Sequence, residues 1–406
     1  MNTMHTKILD QVVNADLLAL RALFQADGFD IRIVGGAVRD ILCDQTPKDI
    51  DLCTDAFPDE AIRIYTKAGI RFEPTGIDHG TISVIINGET YEITSLRYDT
   101  ETDGRHAKVT FTRLWYEDLA RRDLTINAMS MTFDGVLDDP YEGQKDLVAG
   151  VVRFVGDPAL RIQEDYLRIL RFFRFSGRFS KGAYDVTQIA AITKYAEGLR
   201  QVSSERVWQE VSKMMTHPSA PAVYEVMSQC NVLMPSDLPQ PTDTRLAAMK
   251  VAVAHTKNAA TVFTTLFKTT EQVADFGKRL KISTKDTRLM QYLVKFRDYK
   301  SKDDAVLVQR LKESIVMQGA SVDYAVEAAL MLGRVAVADQ IKQWDVPVFP
   351  ITGDDLKELG MQPGKEMGTM LLSMKYAWFN SGMYDGHFSD HAFMLDACKM
   401  ILDQKQ

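Results

Sequence analysis

Two carboxylates stand two residues apart in Lys48-Asp49-Ile50-Asp51. Read as a strand over Asp49 to Cys53, that spacing sends both side chains to one face. Like charges so close repel unless a divalent cation lies between them. Such a pair can hold Mg2+ ions that bridge a triphosphate and activate a hydroxyl. An idle surface pair would look the same in isolation. Position strengthens the chemical reading, because Gly35-Gly36 comes shortly before and a third acid, Glu92, falls on a later predicted strand.

The two glycines sit between a predicted strand, Ile31-Arg32-Ile33-Val34, and a helix predicted from Ala37. They let the backbone turn tightly and bring its N–H groups near a ligand, and a helix N-terminus there suits phosphate. An ordinary strand–helix turn is the other reading. The string is neither GxGxxG nor a Walker A loop. Further on, Arg121-Arg122-Asp123 places two cations and an acid near a predicted helix start. The arginines could contact triphosphate oxygens while Asp123 accepts from a ribose hydroxyl, or all three could form a surface salt-bridge cluster. Glu164, Asp165, Arg168 and Arg171 are spaced to share one side of a helix. The stretch 161–178 holds five arginines against two acids, interleaved with Phe172, Phe173 and Phe175, which is not a balanced salt-bridge face.

Taken in order, these strings resemble the class II tRNA nucleotidyltransferases, the family of CCA-adding enzymes and bacterial poly(A) polymerases. Val34 to Asp40 with Asp49-Ile50-Asp51 looks like the family's first motif. Arg121 to Ala128, with Asn127, is similar to the second. Asp139-Pro140-Tyr141 with Gly143 and Asp146-Leu147 resembles the third. Glu164-Asp165-Tyr166-Leu167-Arg168 resembles the nucleotide-selecting motif, and Arg171 to Phe175, with Arg174, continues that helix. Glu205-Arg206 with Glu210 resembles the next, and the tail from Leu356 to Leu371 resembles the end of CCA-adding enzymes. Between about 180 and 340 the resemblance is weak.

The resemblance implies template-independent addition of C, C and A to the tRNA 3′ end from CTP and ATP, with Mg2+ as cofactor. Asp49, Asp51 and Glu92 would be catalytic, the first two as metal ligands. Gly35, Gly36, Arg39, Arg122, Asp123, Asn127, Asp165, Arg168, Arg171 and Arg174 would bind nucleotide. Asp165 and Arg168 would read the base. Cytosine and adenine both present an amino donor beside a ring-nitrogen acceptor, which suits a carboxylate and a guanidinium, whereas uracil and guanine put a carbonyl where that amino group would be. A poly(A) polymerase, a CC-only or A-only enzyme, and a non-catalytic RNA-binding protein are the alternatives. The segment Asp99 to His106 resembles a flexible loop of full CCA enzymes and is expected to be mobile. His79, in a loop like that of CCA enzymes, is given a local structural role.

These residues need elements to position them. The first ~150 residues alternate β-rich runs with helical stretches, including an expected hairpin of Thr81–Ile86 and Tyr91–Leu96 around Asn87-Gly88. From about Ala159 helical periodicity takes over. The expected fold is α+β: a nucleotidyltransferase head with a polymerase-β-like mixed sheet, then an all-α half. Expected divisions are a catalytic head over 1–150, a neck with the base-selecting motif over 151–216, a tRNA-binding body over 217–340 and a tRNA-binding tail over 341–406.

At 406 residues, 46% hydrophobic and 25% charged, the chain has globular composition, which argues against a disordered or fibrous protein. Net charge is −7, yet 257–302 carries eleven Lys/Arg against four Asp/Glu, so the other residues sum to −14. A basic stripe on an acidic protein suits either a docked polyanion or a solvated helical face. No run approaches the roughly 18 apolar residues of a membrane span. The N-terminal segment does not read as a secretory signal, and four scattered cysteines suggest free thiols in a reducing cytoplasm. No obligate protein partner is inferred.

Overall fold

The computed structural model describes residues 3–102, 107–382 and 391–403. The chain forms two compact units, one of Met1–Leu246 with Phe276–Ile282 and one of Ala247–Asp275 with Ser283–Gln406.

Among the described residues the first unit carries nine strands: β1 (Ile31–Val34), β2 (Leu52–Thr54), β3 (Arg71–Gly76), β4 (Thr81–Ile86), β5 (Glu89–Ser95), β6 (Arg97–Thr102), β7 (Ala107–Phe111), β8 (Ser130–Met131) and β9 (Leu137–Asp138). Seven form a sheet in the order β3-β4-β5-β2-β1-β8-β9, and β6 pairs with β7 alone. Only β2–β5 is parallel within the large sheet. The β4–β5 hairpin turns at Asn87 (φ 51) and Gly88 (φ 89), the two consecutive positive φ values that a tight two-residue hairpin demands.

Helices α1 (Thr3–Val12), α2 (Ala15–Ala26), α3 (Gly36–Leu42) and α4 (Pro58–Ala68) belong to the same core as the sheet. Alternation on β4 sends Ile82 and Val84 inward, where they share that core with Leu20 and Phe24 of α2, Val38 and Ile41 of α3 and Ile64 and Tyr65 of α4. Burying these side chains contributes roughly 1.5–3 kcal/mol each.

Next come α5 (Trp115–Ala120), α6 (Gly143–Ala149), α7 (Pro158–Glu164), α8 (Leu167–Phe179), α9 (Val186–Tyr195), α10 (Ser204–Met215) and α11 (Ala220–Gln229). The helix read across Glu164 to Arg171 is in fact broken. Asp165 is extended (φ −156, ψ 107), and its carboxylate accepts from the Leu167 N–H at 3.1 Å. An Asp that satisfies the free amides of a new helix favours restarting over continuing. Asp165 therefore stands between two helices instead of on the face of one.

Among its described residues the second unit has helices and connecting loops and no strand, with its own cluster of Ile351, Leu356, Met370, Met374, Trp378 and Phe379. The segment expected to be mobile is a strand over the part that is described. Asp99 to Thr102 belong to β6, with a bulge between Asp99 and Glu101, while 103–106 lie outside the described residues.

Candidate active site

The strand expected over Asp49–Cys53 begins only at Leu52. Lys48 and Asp49 form a bend, and Asp51 joins the sheet only through its carbonyl, which accepts from the Val34 N–H at 3.0 Å. Adjacent charged residues are poor strand formers. What aligns the acids is the parallel register of β2 and β5. Leu52 pairs with Ile93, so Asp51 and Glu92, one residue earlier on each, are neighbours. Asp49, Asp51 and Glu92 all line one open cleft of about 810 Å³, together with Lys48, Glu89 and Tyr91. Asn14, at the start of α2, forms another part of the wall and donates to the Tyr91 hydroxyl at 2.8 Å.

All three acids are exposed, and among the described residues none accepts a side-chain hydrogen bond or forms an ion pair. Oxygen ligands left free in this way suit a hard cation. No three His, Cys, Asp or Glu side chains among the described residues close on a common point. Mg2+ needs only one or two protein carboxylates, its other positions going to water and substrate phosphate.

Beside this cleft the charges are tied to one another. Gly35 has φ 65, and a Cβ there would lie 2.5 Å from the Arg122 guanidinium, so only glycine lets that side chain approach the turn. Arg122 and Arg121 both donate to Asp118, at 3.0 and 2.8 Å, and Asp118 is fully buried. Burial pulls the Arg122 pKa down, but Asp118, Cys53 and Asp51 together outweigh it and the net direction is up. Arg39 is buried against the stacked rings of Phe175 and Phe179. It donates to Asp40 and, at 2.5 Å, to the Asn127 amide oxygen. Asn127 passes the link on by donating to Asp123 at 3.1 Å. Asp123 also accepts from Arg171 at 2.6 Å. Burial alone would raise the Asp123 pKa, yet Arg171 and the amide donors hold it below the usual carboxylate range. Glu210 on α10 closes the chain, accepting from Arg174 at 2.5 Å with Arg171 at 3.7 Å.

A second set of bonds fixes the break between α7 and α8. Arg168 donates to Glu164 at 2.5 Å and to the carbonyls of Arg161 and Arg121. Asp165 accepts from Arg206 of α10 at 2.7 Å.

Residues 31–153 match the family described as "Poly A polymerase head domain", and 188–236 the one described as "Probable RNA and SrmB- binding site of polymerase A". The chain is 37% identical to the mitochondrial CCA tRNA nucleotidyltransferase 1 of Danio rerio, covering 93% of this chain and 89% of that one. It is 32% identical to the CCA-adding enzyme of Levilactobacillus brevis, over 88% and 91%. The chain belongs to the class II CCA-adding nucleotidyltransferase family. The fold agrees: the Bacillus stearothermophilus CCA-adding enzyme in complex with CTP superposes with a TM-score of 0.77 at 22% identity, covering 100% of both chains. Enzymes of this family generally use divalent metals.

For a member of that family, the residues singled out in the sequence fall into two groups and a separate pair. Asp49, Asp51 and Glu92 meet in the cleft. Gly35, Gly36, Arg39, Arg122, Asp123, Asn127, Arg171 and Arg174 are joined by direct contacts or through shared partners, and none of them lines the cleft. Asp165 and Arg168 are not bonded to each other; each is held by a different partner. One charged side chain that holds the site was not singled out, Asp118. Asp118 could have been found from its i,i+3 and i,i+4 spacing to Arg121 and Arg122. Arg206 was named with Glu205 as part of a motif, but no local spacing ties it to Asp165, 41 residues away. His79 contributes its backbone carbonyl, which accepts from Arg97.

Proposed function

We propose that this chain is a template-independent CCA-adding tRNA nucleotidyltransferase that adds C, C and A from CTP and ATP to the tRNA 3′ end. The tRNA 3′-hydroxyl attacks the α-phosphate, the new P–O bond forms, and the bond to the β-phosphate breaks with release of pyrophosphate. The observation that carries the reading is the meeting of Asp49, Asp51 and Glu92, all unpaired, in one cleft. Asp49 and Asp51 would hold Mg2+, with Glu92 as a third carboxylate. When bound, the metal neutralises the triphosphate and favours ionisation of the attacking hydroxyl.

Gly35 and Gly36 give the triphosphate a close backbone approach, and Arg39 and Arg122 give that side its positive charge. Asp123 is placed for the ribose, with Asn127 and Arg171 setting its orientation. Arg174 holds the Arg171 side of the site through Glu210. Asp165 accepts from the exocyclic amino group of C or A, and Arg168 donates to the adjacent ring nitrogen. Nucleotide entry then requires each to turn from its present partner toward the base.

The head (1–150), neck (151–216), body (217–340) and tail (341–406) divide these tasks, the last two serving the tRNA. We place the enzyme in the cytoplasm, a reading supported by four free cysteines. Among the described residues no helix is long and apolar enough to cross a membrane. The test is incubation of the protein with tRNA lacking its 3′ end, Mg2+ and labelled CTP or ATP, resolved on a sequencing gel. Three added nucleotides, C, C, A, are expected. A long A-tract would make the chain a poly(A) polymerase, and no extension would make it an RNA-binding protein.

A further inference from the structure

In-line phosphoryl transfer brings the attacking oxygen to phosphorus opposite the leaving pyrophosphate. If the triphosphate lies against Gly35 and Arg122, as the proposed function has it, the attacking strand arrives from the other side of the metal-holding acids. Asp51 marks the divide, since its charge acts on the Arg122 guanidinium while it also lines the open cleft. None of the nucleotide-binding glycines or arginines lines that cleft. Its charged groups are Asp49, Asp51, Glu89 and Glu92 and, among the described residues, one cation, Lys48.

Lys48 stands among four acids, yet it pairs with none of them. It is exposed, and among the described residues its ammonium has no hydrogen bond and no ion pair. Arg39, Arg122, Arg168, Arg171 and Arg174 are by contrast all engaged with acids. A flexible point charge with three unused donors is suited to a phosphate oxygen that arrives with substrate. We infer that the cleft receives the 3′-terminal nucleotide of the acceptor RNA and that Lys48 binds the phosphodiester just 5′ of the attacking hydroxyl. This inference rests on the proposed function.

The test is steady-state CTP incorporation by the full chain, wild type against Lys48→Ala and Lys48→Arg, varying tRNA and CTP separately. Lys48→Ala should raise KM for tRNA roughly tenfold, the size of one lost charged contact, and leave KM for CTP unchanged. Lys48→Arg should restore most of the loss. In direct binding, the slope of log Kd for tRNA against log salt should fall by about 0.7 in Lys48→Ala, one single-strand phosphate contact. An unchanged KM for tRNA in an active Lys48→Ala enzyme overturns the inference alone, as does a rise confined to CTP. A wild-type protein that binds both substrates but incorporates no CTP overturns the proposed function and this inference together.

Discussion

Asp51 and Asp123 are carboxylates of one compact unit kept in opposite conditions. Asp51 is exposed on an open cleft with no bonded partner among the described residues. Asp123 is buried and takes Arg171, Asn127 and a backbone amide. A charge left unpaired in water costs the fold little and remains available to a cation from solution. A charge buried in a lattice of partners cannot be given up without loss, and in exchange it holds neighbouring groups in one arrangement. The acids of the cleft are therefore open to a cation and structurally expendable, while those of the network hold the fold first.

The largest effect should come from the open side. Asp51→Ala should abolish incorporation of both CTP and ATP, because the charge stabilisation of the metal site is lost. Its unfolding free energy should stay within about 0.5 kcal/mol of wild type, as for other exposed positions. Near-normal CTP incorporation would remove Asp51 from the metal site, and a large stability loss would erase the contrast with Asp123.

Asp123→Asn should show the reverse priority. Breaking one partner of a buried pair costs about 3–5 kcal/mol, which denaturant unfolding would read directly. The pH dependence sharpens this. The folded pKa of Asp123 is lowered, so its contribution is complete above the ordinary carboxylate value of about 4 and drains away as pH falls through the depressed folded value. Wild type should lose stability on acidification in that range more steeply than Asp123→Asn. Parallel pH curves for the two proteins would show that Asp123 is not held as an anion.

Asp165 stands between the two conditions, part-buried with one guanidinium partner. Asp165→Ala should lower the kcat/KM ratio of CTP over UTP by about one to two orders of magnitude, the worth of a charged hydrogen bond. An unchanged ratio with lower overall activity would make Asp165 a helix-start residue only, and base selection would lie elsewhere.

The smallest effect is expected on the basic stripe. Lys278 is exposed, and Arg279 already donates to Asp237 at 3.0 Å. Changing both to Glu should flatten the salt dependence of tRNA binding by roughly one to two in slope and leave CTP binding alone. No change in slope would place the tRNA on another surface.

The motifs were legible because their chemistry is short-range. Asp49-Ile50-Asp51, Gly35-Gly36 and Arg121-Arg122-Asp123 each bring their groups together within one turn, strand end or helix start, whatever the rest of the chain does. The hairpin at Asn87-Gly88 was readable for the same reason, since its positive φ values belong to those residue types. The break between Glu164 and Arg171 leaves no mark in the sequence, because spacing alone cannot tell a continuous helix from two joined at an Asp that satisfies the next amide.

Other features came from distance along the chain. Arg39 reaches Asn127 across 88 residues, and Asp165 reaches Arg206 across 41. No periodicity connects such positions; they meet because apolar faces of the sheet and helices pack and carry the polar groups with them. The sequence by itself determined which chemical groups this protein possesses and the family to which they point. Only the tertiary structure decided which of its carboxylates are spent on arginines and which stay open to a metal, because pairing depends on burial, and burial is a property of the packed chain.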